Sequence, residues 1–495
     1  MTTQPIAVPI ATLVHAHAAA GATPNEAPAV TATGPASAAL PTYDRAGVRT
    51  GIVHFGLGNF HRAHQAMFLD RLLTLGEGNE WGICGVGVMP GDARMRDVLA
   101  AQDSLYTLVL KSGTGELDAR VIGSIHDYRF APDDREAVLS ELTAETTRIV
   151  SLTVTEGGYR LPEEGTENPL GVFDLIVTGL ARRRAAGTVP FTVMSCDNLP
   201  GNGEVARRVI IEAARRHDAE LAEWIAENVA FPSSMVDRIT PVTTDADRAL
   251  VRDSFGIEDA WPVVAEPFVQ WVLEDHFTAG RPALEKVGVQ LVSDVAPYEK
   301  MKLRLLNASH QGMAYFGLLS GHTFAHEATT DPRIVAFLHG FLAESRPTLD
   351  PVPGIDLDDY VNTLFERFTN PAIADTLNRL ATDAGSRIPT FVLPTIEDNL
   401  AAGRDVTFGA ALVASWVFQL ERDGHAQPAQ TEIEHDLTAL AARLEAEPLA
   451  IIGYAPVFGD LASQEAFVAP YLDTLAALRR DGVGAVLDAL AGTRA

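Results

Sequence analysis

A chain of 495 residues has room for two to four domains at about 100 to 200 residues each, which excludes small stapled scaffolds. Its 38 Lys and Arg against 65 Asp and Glu leave a formal net charge of −27 with no long basic run, so nucleic acid is not an expected partner. No stretch supplies the roughly 18 consecutive apolar residues that a membrane span requires, and no membrane partner is expected. The two cysteines, Cys84 and Cys196, lie in apolar runs and read as core thiols of a cytoplasmic, reducing compartment rather than as a disulfide or zinc framework.

The first 43 residues carry no Lys or Arg and are rich in Ala, Pro and Thr, which argues against a signal or transit peptide. Residues 1–45 are therefore expected to form a partly disordered extension. From Gly51 the texture changes: Ile52-Val53-His54-Phe55 ends in Gly56-Leu57-Gly58, after which Phe68, Leu72 and Leu75 recur at helical spacing. Further apolar runs at Gly82–Val88, Ile149–Thr155 and Phe191–Cys196 alternate with charged helical stretches at Arg135–Thr147 and Asn202–Glu227. This alternation predicts an α/β fold, a doubly wound parallel sheet with helices on both faces, over residues 46–290. Beyond Asp294 strand-like runs become scarce, and residues 291–495 read as a mainly α-helical domain, with helices at Asp356–Phe368 and Pro371–Thr382.

GLGNFHRAH follows a predicted strand and opens a helix, the context in which glycines let the backbone approach a pyrophosphate and a helix N-terminus offers free N–H groups. Gly56, Gly58, Asn59, Phe60, His61 and Arg62 are the candidate cofactor residues of a Rossmann-type domain, although His61 replaces the third glycine and a tight strand-to-helix connection would look the same. Asp92, beyond the second apolar run, is placed to accept hydrogen bonds from an adenosine ribose and to repel a 2′-phosphate, which favours NAD over NADP; a solvated turn Asp is the other reading.

Pro297 to Gly321, PYEKMKLRLLNASHQGMAYFGLLSG, reads as one buried helix. At about 100° per residue Lys302, Asn307 and His310 fall near 0°, 140° and 80°, so three polar groups share one side of an apolar helix. Desolvation and a helix N-terminus both disfavour a charged lysine, which suits Lys302 to general-base work; alternatively it is a surface cation, as Lys300 and Arg304 are read to be. His322-x3-His326-Glu327 has the spacing of a zinc pair, but Gly321 and Thr323 end the helix first, and no metal is expected. A G-x-S-x-G elbow is absent, so acyl transfer has no support.

Together, GLGNFHRAHQ, SLTVTEGGY, SCDN at Ser195–Asn198, FPSSMVDRITP and the Lys302, Asn307, His310 set resemble the long-chain mannitol dehydrogenase family of polyol dehydrogenases, from about Gly51 to beyond residue 390. The resemblance implies metal-independent, NAD-dependent hydride transfer between mannitol and fructose, with the polyol or ketose as small-molecule partner in a cleft between the domains and a monomer or weak dimer as the working form. It further implies Lys302 as base, Asn198 and Asn307 on the reacting oxygen, His310 positioning the substrate and Glu299 relaying the proton. Asp237, Arg379 and Arg387 are similar to family residues that line the nicotinamide and polyol region. Gly91 departs from relatives that carry an acid beside the equivalent of Asp92. The family also implies two other activities, arabinitol 4-dehydrogenation and hexuronate reduction, the latter needing a cation such as Arg304 or Arg387 for the substrate carboxylate. A non-enzymatic NAD sensor would require a broken Lys302, Asn307, His310 set.

Overall fold

Four apolar runs and one more polar segment, each of four to six residues, build five parallel strands: β1 (Thr50–Phe55), β2 (Gly82–Gly87), the more polar β3 (Ile125–Phe130), β4 (Ile149–Leu152) and β5 (Thr192–Ser195). They lie in the order 3-2-1-4-5, every neighbouring pair parallel. Alternate residues serve opposite faces: Ile52, Ile83, Ile149 and Met194 join one apolar cluster, whereas Val53, Val86, Val150 and Val193 join another. Both faces are covered, and for that reason β1, β2, β4 and β5 read as continuous apolar runs. The strand order reverses between β1 and β4, so the loops leaving these strands diverge and open a crevice at their C-terminal ends. The structure is a computed structural model that describes residues 7–19, 36–161, 168, 170–424 and 431–492.

The chain divides into two compact units between Ala296 and Pro297, six residues beyond the expected division. In the first unit, β3 and the antiparallel pair Tyr106–Lys111 and Leu117–Ile122 were not anticipated. Ile125-His-Asp-Tyr-Arg-Phe130 is an edge strand whose polar alternation hides it from a search for apolar runs. The predicted helix at Arg135–Thr147 stops at Thr143, and the one at Asn202–Glu227 is two helices, Asn202–Arg215 and Ala219–Asn228, because Asp218 caps the second by accepting from Glu220 N.

Residues 8–19 are ordered, contrary to expectation. Val8–Pro9 pairs with Ile257–Glu258, and Ile10–Ala19 is a helix whose Ile10, Leu13 and Val14 pack with Leu105, Val109, Val121 and Phe255. Ile10, Leu13, Val14 and His17 stand at i, i+3, i+4 and i+7, a helical stripe that the alanine-rich composition masks. Residues 36–45 of that stretch are placed too, with Ala39 paired to Arg120, while residues 1–6 and 20–35 lie outside the described residues.

The second unit is helical. Ala308–Leu319 runs through its core, flanked by Pro332–Ser345 and Thr407–Asp423, and the latter packs on Glu465–Gly492. Leu357–Phe368 matches its prediction, with Asp356 capping Asp358 N and Asp359 N. The predicted helix at Pro371–Thr382 shrinks to Leu377–Leu380, since Ala374 takes φ +49° and Thr376 starts the helix afresh as its cap. Among the described residues no helix is long and apolar enough to cross a membrane.

Candidate functional site

The glycine turn after β1 is built around two different demands. Gly56 has φ +89°, and a Cβ there would stand 2.0 Å from the Thr153 carbonyl oxygen, so no other residue fits. At Gly58 a Cβ would meet only the Gly56 carbonyl at 3.9 Å, leaving open space over the backbone into which a pyrophosphate fits. His54 anchors the turn from below: its Nδ1 pairs with Ser151 Oγ at 2.8 Å, its Nε2 with Thr153 Oγ1 at 2.9 Å, and Thr153 Oγ1 donates to the Gly56 carbonyl. Burial pushes His54 down to about 3, so the imidazole is neutral.

The polar side chains of the following helix, among the candidate cofactor residues, are engaged with the protein itself. His61 is buried and stacks on His54 with ring centroids 3.5 Å apart, and desolvation holds it neutral. Arg62 has no exposure; it donates to the Trp261 carbonyl and to Asn59 Oδ1, lies against the Tyr106 and Trp261 rings, and is lowered by burial to about 10. Asn59 Nδ2 donates to the Pro241 carbonyl and Thr243 Oγ1, while Arg238 donates to the Ala63 carbonyl. Phe60 stacks on His64 at 5.5 Å. These residues clamp the turn to segment 238–243, leaving Gly56 and Gly58 to present backbone. That is also why the DRITP run is informative: it is the other half of the clamp.

Asp92 stands beyond β2 at the expected position, and its Oδ2 accepts from Val88 N and Met89 N, both at 2.9 Å. The carboxylate thus closes the turn leaving the strand, a task additional to any ribose contact. Asn198 is exposed on the turn after β5, and Asp237 is 3% exposed at the end of strand Ser234–Asp237. Asp197, the chain neighbour of Asn198, is not singled out from sequence, nor are its partners. Asp197 accepts from Val154 N, Thr155 N and Tyr159 Oη, and Thr155 has φ 65° and ψ 166°. Their place within the TVTEGGY and SCDN motifs was the available signal.

In the second unit the Lys302 helix is not uniformly α. Ala296–Lys302 passes into a π segment, Leu303–Asn307, before the α-helix Ala308–Leu319. Bonding i to i+5 puts one more residue in the turn, so rotation per residue falls from about 100° to about 80°. Asn307 then lies about 40° from Lys302, and His310 about 340°, in place of the predicted 140° and 80°. The extra residue gathers all three side chains within about a quarter turn. Lys302 is 5% exposed, Asn307, His310 and Glu299 are half-buried, and the His310 ring lies 5.0 Å from Phe368.

A second π segment, Ile388–Val392, follows Arg387 and packs against the first. Arg387 Nη1 donates to the Arg379 and Leu380 carbonyls, and Gln311 also donates to the Leu380 carbonyl, tying the His310 helix to this loop. Arg379 forks onto Asp375 through Nε and Nη2, which holds its guanidinium charged. Arg304 is a correction: it is buried and paired with Asp398 at 2.6 Å, whereas Lys300 remains a surface cation near Asp350.

Among the described residues one cluster has metal-ligand types, Cys84, Asp127 and Glu141, but Arg129 already bridges both carboxylates at 2.6 and 2.9 Å and burial keeps Cys84 protonated. Burial pushes Cys196 up to about 12, so both thiols are inert core groups. Glu327 of the His322, His326 run accepts from Thr323 N and Phe324 N as a helix cap.

Comparison with known proteins decides the family. The mannitol dehydrogenase Rossmann domain matches residues 50–286, and the mannitol dehydrogenase C-terminal domain matches residues 294–479. The chain belongs to the mannitol dehydrogenase family. It is 44% identical over 472 residues to a mannitol 2-dehydrogenase of Phaeosphaeria nodorum, covering 90% of this chain and 82% of that protein, and 43% identical over 470 residues to one of Cereibacter sphaeroides, covering 91% and 98%. Among solved structures it is similar to the Pseudomonas fluorescens mannitol 2-dehydrogenase ternary complex with NAD and D-mannitol, at TM-score 0.85 and 44% identity over 92% of this chain and 97% of that one. A substrate-free D-sorbitol dehydrogenase matches at TM-score 0.81 and 35% identity over 93% and 99%. The two mannitol dehydrogenase domains fall on the two compact units, and the helix Ile10–Ala19 precedes the matched region.

Proposed function

We propose that the protein is an NAD-dependent mannitol 2-dehydrogenase, interconverting mannitol and fructose. The observation that carries this is the 44% identity, over 92% of the chain, to a protein captured with NAD and D-mannitol. Bound NAD supplies the hydride acceptor, and the backbone at Gly56 and Gly58, with Asp92 beyond β2, fits its pyrophosphate and adenosine ribose.

In the oxidative direction neutral Lys302 takes the C2 hydroxyl proton. Asn198 and Asn307 donate to the oxygen as its charge develops, and His310 orients the polyol. Glu299, one turn before Lys302, passes the proton on toward solvent. Asp237, Arg379 and Arg387 complete the polyol site. In reduction protonated Lys302 returns the proton to C2 oxygen. The close angular grouping of Lys302, Asn307 and His310 supports a shared task at one oxygen.

Hexuronate reduction is disfavoured because Arg304, one of its two candidate cations, is engaged with Asp398. The cytoplasm is the proposed compartment, in keeping with two free buried cysteines, and the proposed working form is a monomer or weak dimer. The test is a panel of initial rates with mannitol, arabinitol, sorbitol, fructose and fructuronate, each with NAD(H) and NADP(H). Mannitol and fructose with NAD(H) should give the highest kcat/KM; a higher value for fructuronate or arabinitol would reassign the substrate.

A further inference from the structure

β4 and β5 end side by side, with Leu152 paired to Ser195, and the chain beyond each strand turns away as Thr153–Thr155 and Cys196–Asn198. A single carboxylate joins the two turns. Asp197, 8% exposed, accepts from Thr155 N at 2.9 Å on Oδ1 and from Val154 N at 3.1 Å on Oδ2. Tyr159 Oη donates to the same Oδ2 at 2.8 Å.

The hydrogen-bond directions are fixed by elimination. The carboxylate only accepts, so the one Tyr159 hydroxyl proton goes to it; Ser195 Oγ, 2.6 Å from Tyr159 Oη, must then donate to Tyr159, and it accepts in turn from Asp197 N. The ring closes on Asp197. Its carbonyl is held as well, by Asn202 Nδ2 at 2.9 Å, and Asn202 is itself fixed to Ser234 through both backbone polar groups. The peptide that leads into Asn198 is therefore held at its carbonyl as well.

The other turn is strained. Thr155 is β-branched, yet its φ 65° and ψ 166° belong to a region that glycine alone occupies comfortably. Its N–H bond to Asp197 opposes the relaxation of that residue. Two residues earlier, Thr153 bonds the Gly56 carbonyl, so the restraint reaches the dinucleotide turn.

We propose that Asp197 is a positioning residue for hydride transfer: by tying the strained Thr155 turn to the peptide before Asn198, it fixes the Asn198 amide relative to the dinucleotide turn. The proposal rests on the reading of Asn198 as a donor to the reacting oxygen. Asp197 touches neither substrate nor cofactor in this role.

The experiment compares Asp197→Asn, Tyr159→Phe and Asn198→Ala with the full-length parent, using mannitol oxidation at saturating NAD, the primary isotope effect with C2-deuterated mannitol, NADH titration and thermal unfolding. Asp197→Asn keeps the shape but turns one acceptor into a donor facing an N–H, so kcat should fall by about tenfold to a hundredfold, the scale of an ångström-level misplacement. The isotope effect should rise, and the change in NADH affinity should be smaller than that in kcat. Tyr159→Phe removes one donor from the ring and should show the same split at smaller amplitude, which keeps the test alive if Asp197→Asn does not fold. Thr155→Gly added to Asp197→Asn should restore part of the lost kcat, because glycine holds the turn without help. Lowered thermal stability with parental kcat and isotope effect in both ring variants would make Asp197 merely structural and overturn the proposal. If Asn198→Ala itself retains parental turnover, the failure lies with the Asn198 role and not with the ring.

Discussion

The glycine turn after β1 and the Lys302 helix handle polar groups in opposite ways. Around the turn the conspicuous side chains, Asn59, His61 and Arg62, are committed to the protein interior, and the backbone at Gly56 and Gly58 is left open. Along the Lys302 helix the backbone is deformed by a π segment, and side chains gather on one edge. A ligand bound by charge and shape needs a rigid backbone cradle, whereas a reaction needs side chains converging on one atom. Substitutions in the first region should therefore act on stability, and those in the second on turnover.

The sharpest break would come from Lys302→Ala, expected to lower kcat by about 10² to 10⁴ while NADH titration stays near parental values. Retained mannitol oxidation would remove Lys302 as the base. Next, Asn198→Ala and Asn307→Ala should each cost roughly 2.7 to 4 kcal/mol of transition-state stabilisation, read as kcat loss exceeding any rise in KM; a change confined to the polyol KM would make either Asn a ground-state contact. On the other side of the comparison, Arg62→Met should lower the unfolding midpoint, leaving the Trp261 carbonyl and Asn59 without a donor at a cost of about 1 to 3 kcal/mol, with NADH affinity preserved in the folded fraction. Loss of NADH binding without loss of stability would reverse the assignment.

Asp92 belongs to both categories and so sharpens the distinction. Asp92→Ala should shift the ratio of kcat/KM for NAD over NADP by about tenfold and also lower thermal stability, because it uncaps Val88 N and Met89 N. An unchanged ratio with lowered stability would leave Asp92 only its turn-closing task.

A further effect concerns pH. His54 is depressed from 6.5 to about 3 by burial, and His61 is depressed as well, so the unfolded chain takes up protons that the folded chain refuses. Stability from these groups is complete above about pH 6.5 and is lost as pH falls toward 3, at no more than about 1.4 kcal/mol per pH unit for each imidazole. Unfolding midpoints between pH 7.5 and 4.5 should decline less steeply in His54→Asn than in the parent.

How much was legible follows from periodicity. β1, β2, β4 and β5 announce themselves because both their faces are buried, but β3 at the sheet edge alternates polar residues and escaped notice. Lys302, Asn307 and His310 could be grouped on one helix from spacing alone, yet their true angular closeness depends on a π segment that no propensity encodes. Arg62 is a cofactor candidate by its place at a glycine turn, and sequence gives no sign that its side chain is spent on the Trp261 carbonyl and Asn59. Asp197 was overlooked since its partners are backbone N–H groups forty residues away in the chain.

The helix Ile10–Ala19 lies upstream of the residues the family model matches, and still it covers Leu105, Val109 and Phe255. Ancestry and foldability therefore set different borders in this chain. A version trimmed to begin at residue 50, the first residue of the family match, would bare an oily flank to water, turning a covered surface into an adhesive one.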